Sequence, residues 1–307
     1  MKKDVSKYSF LVITGLFLLF ISVSCVSHPY LEQQTEELLY PCESYIPEAF
    51  EWQEVESGIA RFDFKNPDFP IIYHAVKINL DTPDLEIISF PDLEFVEKKS
   101  KGKELSKPFI YKGITTEAFA RKNKCTVAVN ATPFAGRNGK WDLIAHVSST
   151  RQLVGVHIYK KFEVSAPVAS YSALSFTRTE SGYKAEIIDS QTSENLKDSD
   201  YAFGGFFTVL RDGQINEKFI RSHDSRTGCG VSQDGKTLYI LVVEGEVGRK
   251  SEGLSYPQCA AVFKAMGCDD ALEFDGGSSS QLCINGKSVL TYRQFRVQGN
   301  SFGVRKM

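Results

Sequence analysis

The sequence predicts one α+β domain, built on a strand-rich, mixed, twisted sheet with a few packed helices. Three observations predict it. Short apolar runs rich in β-branched and aromatic residues recur along the chain, at 69–80, 85–90, 154–159, 185–188, 206–211 and 237–243. Asp212-Gly213, Asp234-Gly235 and Asn285-Gly286 stand between such runs as hairpin turns. Two units then read as helix, short turn, strand and polar loop. In the first, a capped helix over 114–122 leads into a strand at 125–129. In the second, Ser255 opens a helix that runs to Met266, Gly267 stops it, and 271–274 forms a strand ending at Asp275. The echo places Asn130 and Asp275 at the same edge of neighbouring strands, where open sheets build sites.

Before the domain, residues 1–25 read as a targeting segment, with Lys2, Lys3 and Lys7 ahead of an apolar run over 10–23. Its end, Ile21-Ser22-Val23-Ser24-Cys25, resembles a lipoprotein processing site, so Cys25 is the expected lipidation point. Residues 26–41 follow as a polar tether and 42–307 as the folded domain. The expected location is the cell envelope, outside the cytoplasm, with the lipid on Cys25 as membrane partner. Lys98, Lys99, Lys101 and Lys103 read as a charged loop, and the acidic stretch 189–200 as a surface loop.

Composition narrows the function classes. With 42% hydrophobic and 24% charged residues the chain is an ordinary globular protein, and a formal net charge of −2 leaves no basic footprint for nucleic acid. Cys42, Cys125, Cys229, Cys259, Cys268 and Cys283 show no CxxC spacing, which argues against a zinc site and leaves disulfide pairing open. The serine-hydrolase elbow, the P-loop and the dinucleotide-binding glycine pattern are all missing. No cofactor is expected, and a divalent metal is neither required nor ruled against.

The sharpest signal is Glu273-Phe274-Asp275-Gly276-Gly277-Ser278-Ser279-Ser280-Gln281-Leu282. Two glycines after an acidic strand end allow close backbone approach to a ligand, and the hydroxyls and N–H groups beyond can meet oxyanions. A second element is Ser225-Arg226-Thr227-Gly228-Cys229-Gly230, followed by a hairpin ending at Glu244-Gly245. Its arginine suits bidentate binding of phosphate. A third, Ala128-Val129-Asn130-Ala131-Thr132-Pro133-Phe134, delivers an amide that both donates and accepts. His223 and His146 are the candidate acid–base histidines, and Trp141, Phe207 and Tyr256 offer apolar faces for a sugar ring. Each residue also has a plain structural reading: a surface ion pair for Arg226, a solvated strand end for Glu244, an Asx turn for Asn130.

Together and in this order, these elements resemble the phosphodiester glycosidase family over residues 75–305. Asn130 and Phe134 match one family motif and Gly204 and Gly205 a second. Arg226, Thr227 and Gly230 match a third. Glu244, Gly245, Asp275, Gly276, Gly277, Ser279 and Ser280 match the last two. Ala131-Thr132-Pro133, Glu244 and Ser278 depart from it, putting side chains where glycine or a shorter acid is usual.

The resemblance implies hydrolysis between a sugar's anomeric carbon and a phosphate oxygen, on a glycoconjugate or cell-envelope polymer. Asp275 is the first choice of catalytic carboxylate and Glu244 the second. Asn130, Arg226, Thr227, Gly205, Gly276, Gly277, Ser279, Ser280 and His223 are the expected substrate contacts. That reading requires the Arg226 guanidinium to face the Asp275 carboxylate. The competing reading is a surface lipoprotein of the same fold that binds glycans or wall polymers without cutting them. Metal-dependent attack on phosphorus is a third.

Overall fold

Alternation along the strands sorts the apolar residues into layers. In the computed structural model, which describes residues 40–101, 109–136, 150–218, 222–245, 247 and 250–307, these layers are four sheets. The largest has eight strands, in the order Gln53–Glu56, Ile59–Lys65, Ile72–Asn79, Thr237–Glu244, Arg226–Val231, Asp270–Glu273, Phe207–Arg211 and Gln214–Ile215. A five-stranded sheet runs Lys287–Ser288, Leu282–Ile284, Val127–Asn130, Ser301–Lys306, Leu85–Phe90. A second five-stranded sheet runs Phe162–Ser165, His157–Tyr159, Tyr201–Gly204, Ala173–Arg178, Tyr183–Ile188. The smallest joins Ile110–Lys112, Thr150–Leu153 and Phe134–Ala135.

On the eight-stranded sheet, Val76, Ile78, Ile240, Val242 and Leu272 face inward, against Val127, Val129, Phe302 and Val304 of the first five-stranded sheet and Leu174, Phe176 and Phe203 of the second. The intervening residues Tyr73, Ala75, Leu241, Val243 and Ala271 face the other way. They pack on Cys259, Val262, Phe263 and Met266 of a helix over Tyr256–Met266. A period of two with both faces apolar is what a sheet buried between two layers requires.

The described residues hold three α-helices: α1 (Leu93–Ser100), α2 (Thr116–Asn123) and α3 (Tyr256–Met266). Thr115 caps α2, whose Phe119 and Ala120 pack on Ala128 and Cys283 of the five-stranded sheet. Ser255 and Gln258 form a capping box on α3, and Gly267 ends it in the left-handed region, as the sequence predicts. Asp212-Gly213 and Asn285-Gly286 both take positive φ, which suits two-residue hairpins.

Three expectations change. Every described strand pairing is antiparallel, so the strand signal resolves into antiparallel sheets and not one mixed sheet. The two helix–strand units, expected to supply neighbouring strands of one sheet, feed different sheets, Val127–Asn130 in a five-stranded one and Asp270–Glu273 in the eight-stranded one. Lys98 and Lys99 lie in the last turn of α1, where cations suit the helix dipole, because Asp92 accepts from the Phe95 amide and starts a helix there. The described cysteines are all thiols.

Gly253 joins α3 to the eight-stranded sheet. Its φ is +88° and an added Cβ would stand 2.0 Å from the Asp224 carbonyl oxygen. Gly253→Ala is expected to cost about 2 kcal/mol or more, from backbone strain plus the broken Asp224–Leu254 bridge. A urea midpoint equal to that of the parent protein would show the strain to be absent.

Candidate active site

Strand Asp270–Glu273 is held between Arg226–Val231 and Phe207–Arg211, and its chain continues out of the sheet as Phe274-Asp275-Gly276-Gly277. Phe274 donates its amide to the Thr227 carbonyl (2.8 Å), Asp275 to Ala131 (3.1 Å) and Gly277 to Ser225 (2.7 Å). A Cβ on Gly276 would lie 2.9 Å from the Ser225 carbonyl, so the close approach at this position favours glycine. Gly277–Ser279 closes as a single 3-10 turn.

Asn130 joins this loop to the opposing sheet. It is fully buried, donates Nδ2 to the Asp275 carbonyl at 2.6 Å, and accepts at Oδ1 from Thr227 Oγ1 (3.2 Å) and the Gln281 amide (2.9 Å). Its amide is thus occupied by protein, as is the Thr227 hydroxyl, and both order the loop from beneath.

Burial pushes the Asp275 carboxyl up to about 6, while a hydrogen bond from Ser279 and the charges of Arg296 and Arg151 draw it down. These two arginines share one aromatic ring. The Arg151 guanidinium lies 4.7 Å from the Phe134 centroid and that of Arg296 5.4 Å. Arg151 is almost wholly buried and is oriented by Val297 O (2.8 Å, from Nε) and Thr150 O (2.9 Å, from Nη1). Arg296 donates Nη1 to Ser278 Oγ at 2.7 Å, and its Nε is buried without a partner among the described residues. Arg151 and Arg296 thus act on Asp275 through their charge, and the Asp224 carboxylate lies on the other side of the loop, with Oδ2 3.8 Å from where a Cβ on Gly277 would stand.

Arg226 takes another position. Strand alternation puts it on the face opposite Thr227, where Nε donates to Leu254 O (3.1 Å), Nη2 to Ser222 O (2.8 Å), and the guanidinium stacks on Tyr256 at 3.9 Å. The Arg226–Asp275 pairing expected from the sequence is therefore not formed, and the arginines whose charges act on Asp275 are Arg151 and Arg296. Arg226 instead acts on Glu273, a fully buried carboxyl that burial pushes up to about 8, against the pull of Arg226 and of the Cys259 thiol. Phe207 packs edge-on against Tyr256 at 4.9 Å, so both aromatics belong to this helix-side cluster.

Glu244 is fully buried. Its Oε1 accepts from His74 Nε2 (2.9 Å) and the Thr291 amide (2.7 Å), and its Oε2 from the Thr291 hydroxyl. Burial raises its pKa, but the His74 and Thr291 bonds hold it below its usual range. His223 stacks on Tyr40 at 4.7 Å. Gly205 lies against the Asp270–Glu273 strand, its amide on Ser172 O (2.7 Å). Ser279 is buried beside Asp275, and Ser280 is buried with no partner for Oγ among the described residues. Cys25, Trp141 and His146 lie outside the described residues. The carboxylates placed to share a cation among the described residues are Asp212, Asp269 and Asp270, at the far end of the strand that delivers Asp275, and Arg211 already pairs with Asp270 at 2.6 Å.

A family model for phosphodiester glycosidases matches residues 123–305. The chain belongs to the phosphodiester glycosidase family. Matched solved structures include a hypothetical protein from Synechocystis (TM-score 0.58, 15% identity, 83% of this chain). The chain spans 63% of that protein's length. They also include the zebrafish N-acetylglucosamine-1-phosphodiester alpha-N-acetylglucosaminidase catalytic domain, auto-inhibited by its pro-peptide (TM-score 0.57, 16% identity, 86% of each chain). No curated protein matches the sequence. At these identities the structural likeness speaks to fold, and the family rests on the sequence match.

Arg151, Arg296, His74 and Glu273 escape the sequence reading as site residues. The arginines and the histidine sit in no motif; Glu273 carries a signal, an acid inside an apolar strand directly before the acidic loop. Its ordinary value is 4.5 and its folded value about 8. Between those pH values the native state holds a proton that the unfolded chain releases, so Glu273 makes stability fall as pH rises, by up to about 1.4 kcal/mol per pH unit. Glu273→Gln is expected to remove that part of the slope and to stabilise the protein at pH 8. Unfolding midpoints measured from pH 5 to 8 test this, and an unchanged slope refutes a neutral Glu273.

Proposed function

We propose that the chain hydrolyses the bond between a sugar's anomeric carbon and a phosphodiester oxygen, on extracytoplasmic glycoconjugates or envelope polymers. In this reading it is held at the membrane by a lipid on Cys25. The observation that supports the reaction best is the Asp275 carboxylate beyond a strand end, lifted by burial and acted on by the charges of two guanidiniums, Arg151 and Arg296.

The chemistry follows from the charges. Water adds to the anomeric carbon, the carbon–oxygen bond breaks, and its electron pair leaves on a phosphate oxygen. The leaving group is already a stabilised anion, so the site needs less proton donation than an ordinary glycosidase and more positive charge around the phosphate. Arg151 and Arg296 supply that charge. Asp275, ionised above about pH 6, accepts the proton of the attacking water and offsets positive charge developing on the sugar. Glu244 has its oxygens engaged by His74 and Thr291, which leaves Asp275 as the carboxylate of the reaction.

On a panel of sugar-1-phosphodiesters, kcat/KM is expected to rise as pH climbs through about 6, the value to which burial lifts Asp275. Asp275→Asn should lose roughly 100- to 10,000-fold in kcat while staying folded. Arg151→Met and Arg296→Met should act on KM as well. Full turnover in Asp275→Asn overturns the assigned role. Glycan binding with no release of reducing sugar across the panel would favour the binding lipoprotein.

A further inference from the structure

We infer that His74 is a positioning residue: clamped between Asp63 and Glu244, it fixes Glu244 on Thr291 and so sets the segment that brings Arg296 onto Ser278 of the Asp275 loop. This rests on the reading of Arg296 as a phosphate-binding group.

The cluster follows from strand register. Asp63 is the cross-strand partner of His74, and His74 pairs with Val242, two residues before Glu244 on the next strand. All three side chains therefore rise from one face, and an imidazole is long enough to span the diagonal to Glu244. Nδ1 lies 2.7 Å from Asp63 Oδ1 and Nε2 2.9 Å from Glu244 Oε1. An ionised carboxylate only accepts, so both ring nitrogens must donate and the ring is an imidazolium. The charged groups facing it are Asp63 and Glu244, with Arg61 on the outer side of Asp63.

Glu244 then holds the segment that leaves the core at Leu290. Thr291 is exposed and in no strand, and its amide and hydroxyl are both bound by Glu244. Downstream, Gln294 Nε2 reaches Ser278 O (2.7 Å), the Arg296 amide reaches Gln294 Oε1 (3.0 Å), and Gln281 Nε2 reaches Arg296 O (2.9 Å). The segment carrying Arg296 is thus pinned at its start by Glu244 and at its end by the acidic loop. A neutral residue at 74 leaves the buried Glu244 charge unbalanced, one too short to reach it removes a donor as well, and in either case the start of the segment loosens.

Two measurements on the full chain test this. Nitrogen-15 NMR of the ring, assigned by loss of its signals in His74→Gln, should show both nitrogens protonated at pH 7.5; a single protonated nitrogen overturns the clamp. Binding of inorganic phosphate, followed by calorimetry, should weaken roughly tenfold in His74→Gln and in Thr291→Val, with the double variant no worse than either. Thr291→Val changes an exposed position and keeps the test open if His74→Gln folds poorly. Parental phosphate affinity in both variants, or additive losses, overturns the positioning role alone. Absence of phosphate binding in the parent protein overturns the anion site on which the role rests, while the NMR result stands independently.

Discussion

One buried amide ties the two halves of the site together. Asn130 closes a strand of the five-stranded sheet, and its side chain grips the carbonyl of Asp275, the hydroxyl of Thr227 and the amide of Gln281. The Asp275 loop thus cannot move relative to the opposing sheet without stranding buried polar groups, each worth about 1–3 kcal/mol when unpaired. The contact also explains why an amide suits this position. Aspartate could not donate to the Asp275 carbonyl, and leucine would leave three partners unsatisfied.

Above that tie, charge is distributed by layer. On the helix side of the eight-stranded sheet, Arg226 and Glu273 sit buried with Tyr256 and Cys259, and desolvation favours the proton on Glu273. Beyond the strand end, the charges of Arg151 and Arg296 act on Asp275 and favour the ionised carboxylate. Glu273 and Asp275 are two residues apart, yet their environments push them to different protonation states at neutral pH. That separation keeps the acidic loop from carrying two adjacent charges.

The binding side of the site is built from segments of unlike regularity. Arg151 comes from a short strand whose neighbours are Ile110–Lys112 and Phe134–Ala135. Arg296 comes from a stretch without regular structure between Lys287–Ser288 and Ser301–Lys306. Phe134 joins them, lying under both guanidiniums. The ring attracts each cation separately and so helps to hold both guanidiniums on one patch.

What the sequence determined by itself is local. Strand periodicity, the Asp-Gly and Asn-Gly turns, the cap at Ser255 and the stop at Gly267 all act over a few residues and are found where the sequence places them, while the helix read from 114 is capped at Thr115 and begins at Thr116. The order of motifs ending in Asp275-Gly276-Gly277 was equally legible, and with it the family. Tertiary structure alone decided which cation meets which carboxylate. His74 and Glu244 are 170 residues apart, and nothing in their neighbourhoods announces a partner. Arg226 was legible as a residue but not in its direction, because one step along a strand reverses the face. Long-range register sets these pairings, and a single sequence records register only through the apolar pattern, which is blind to charge.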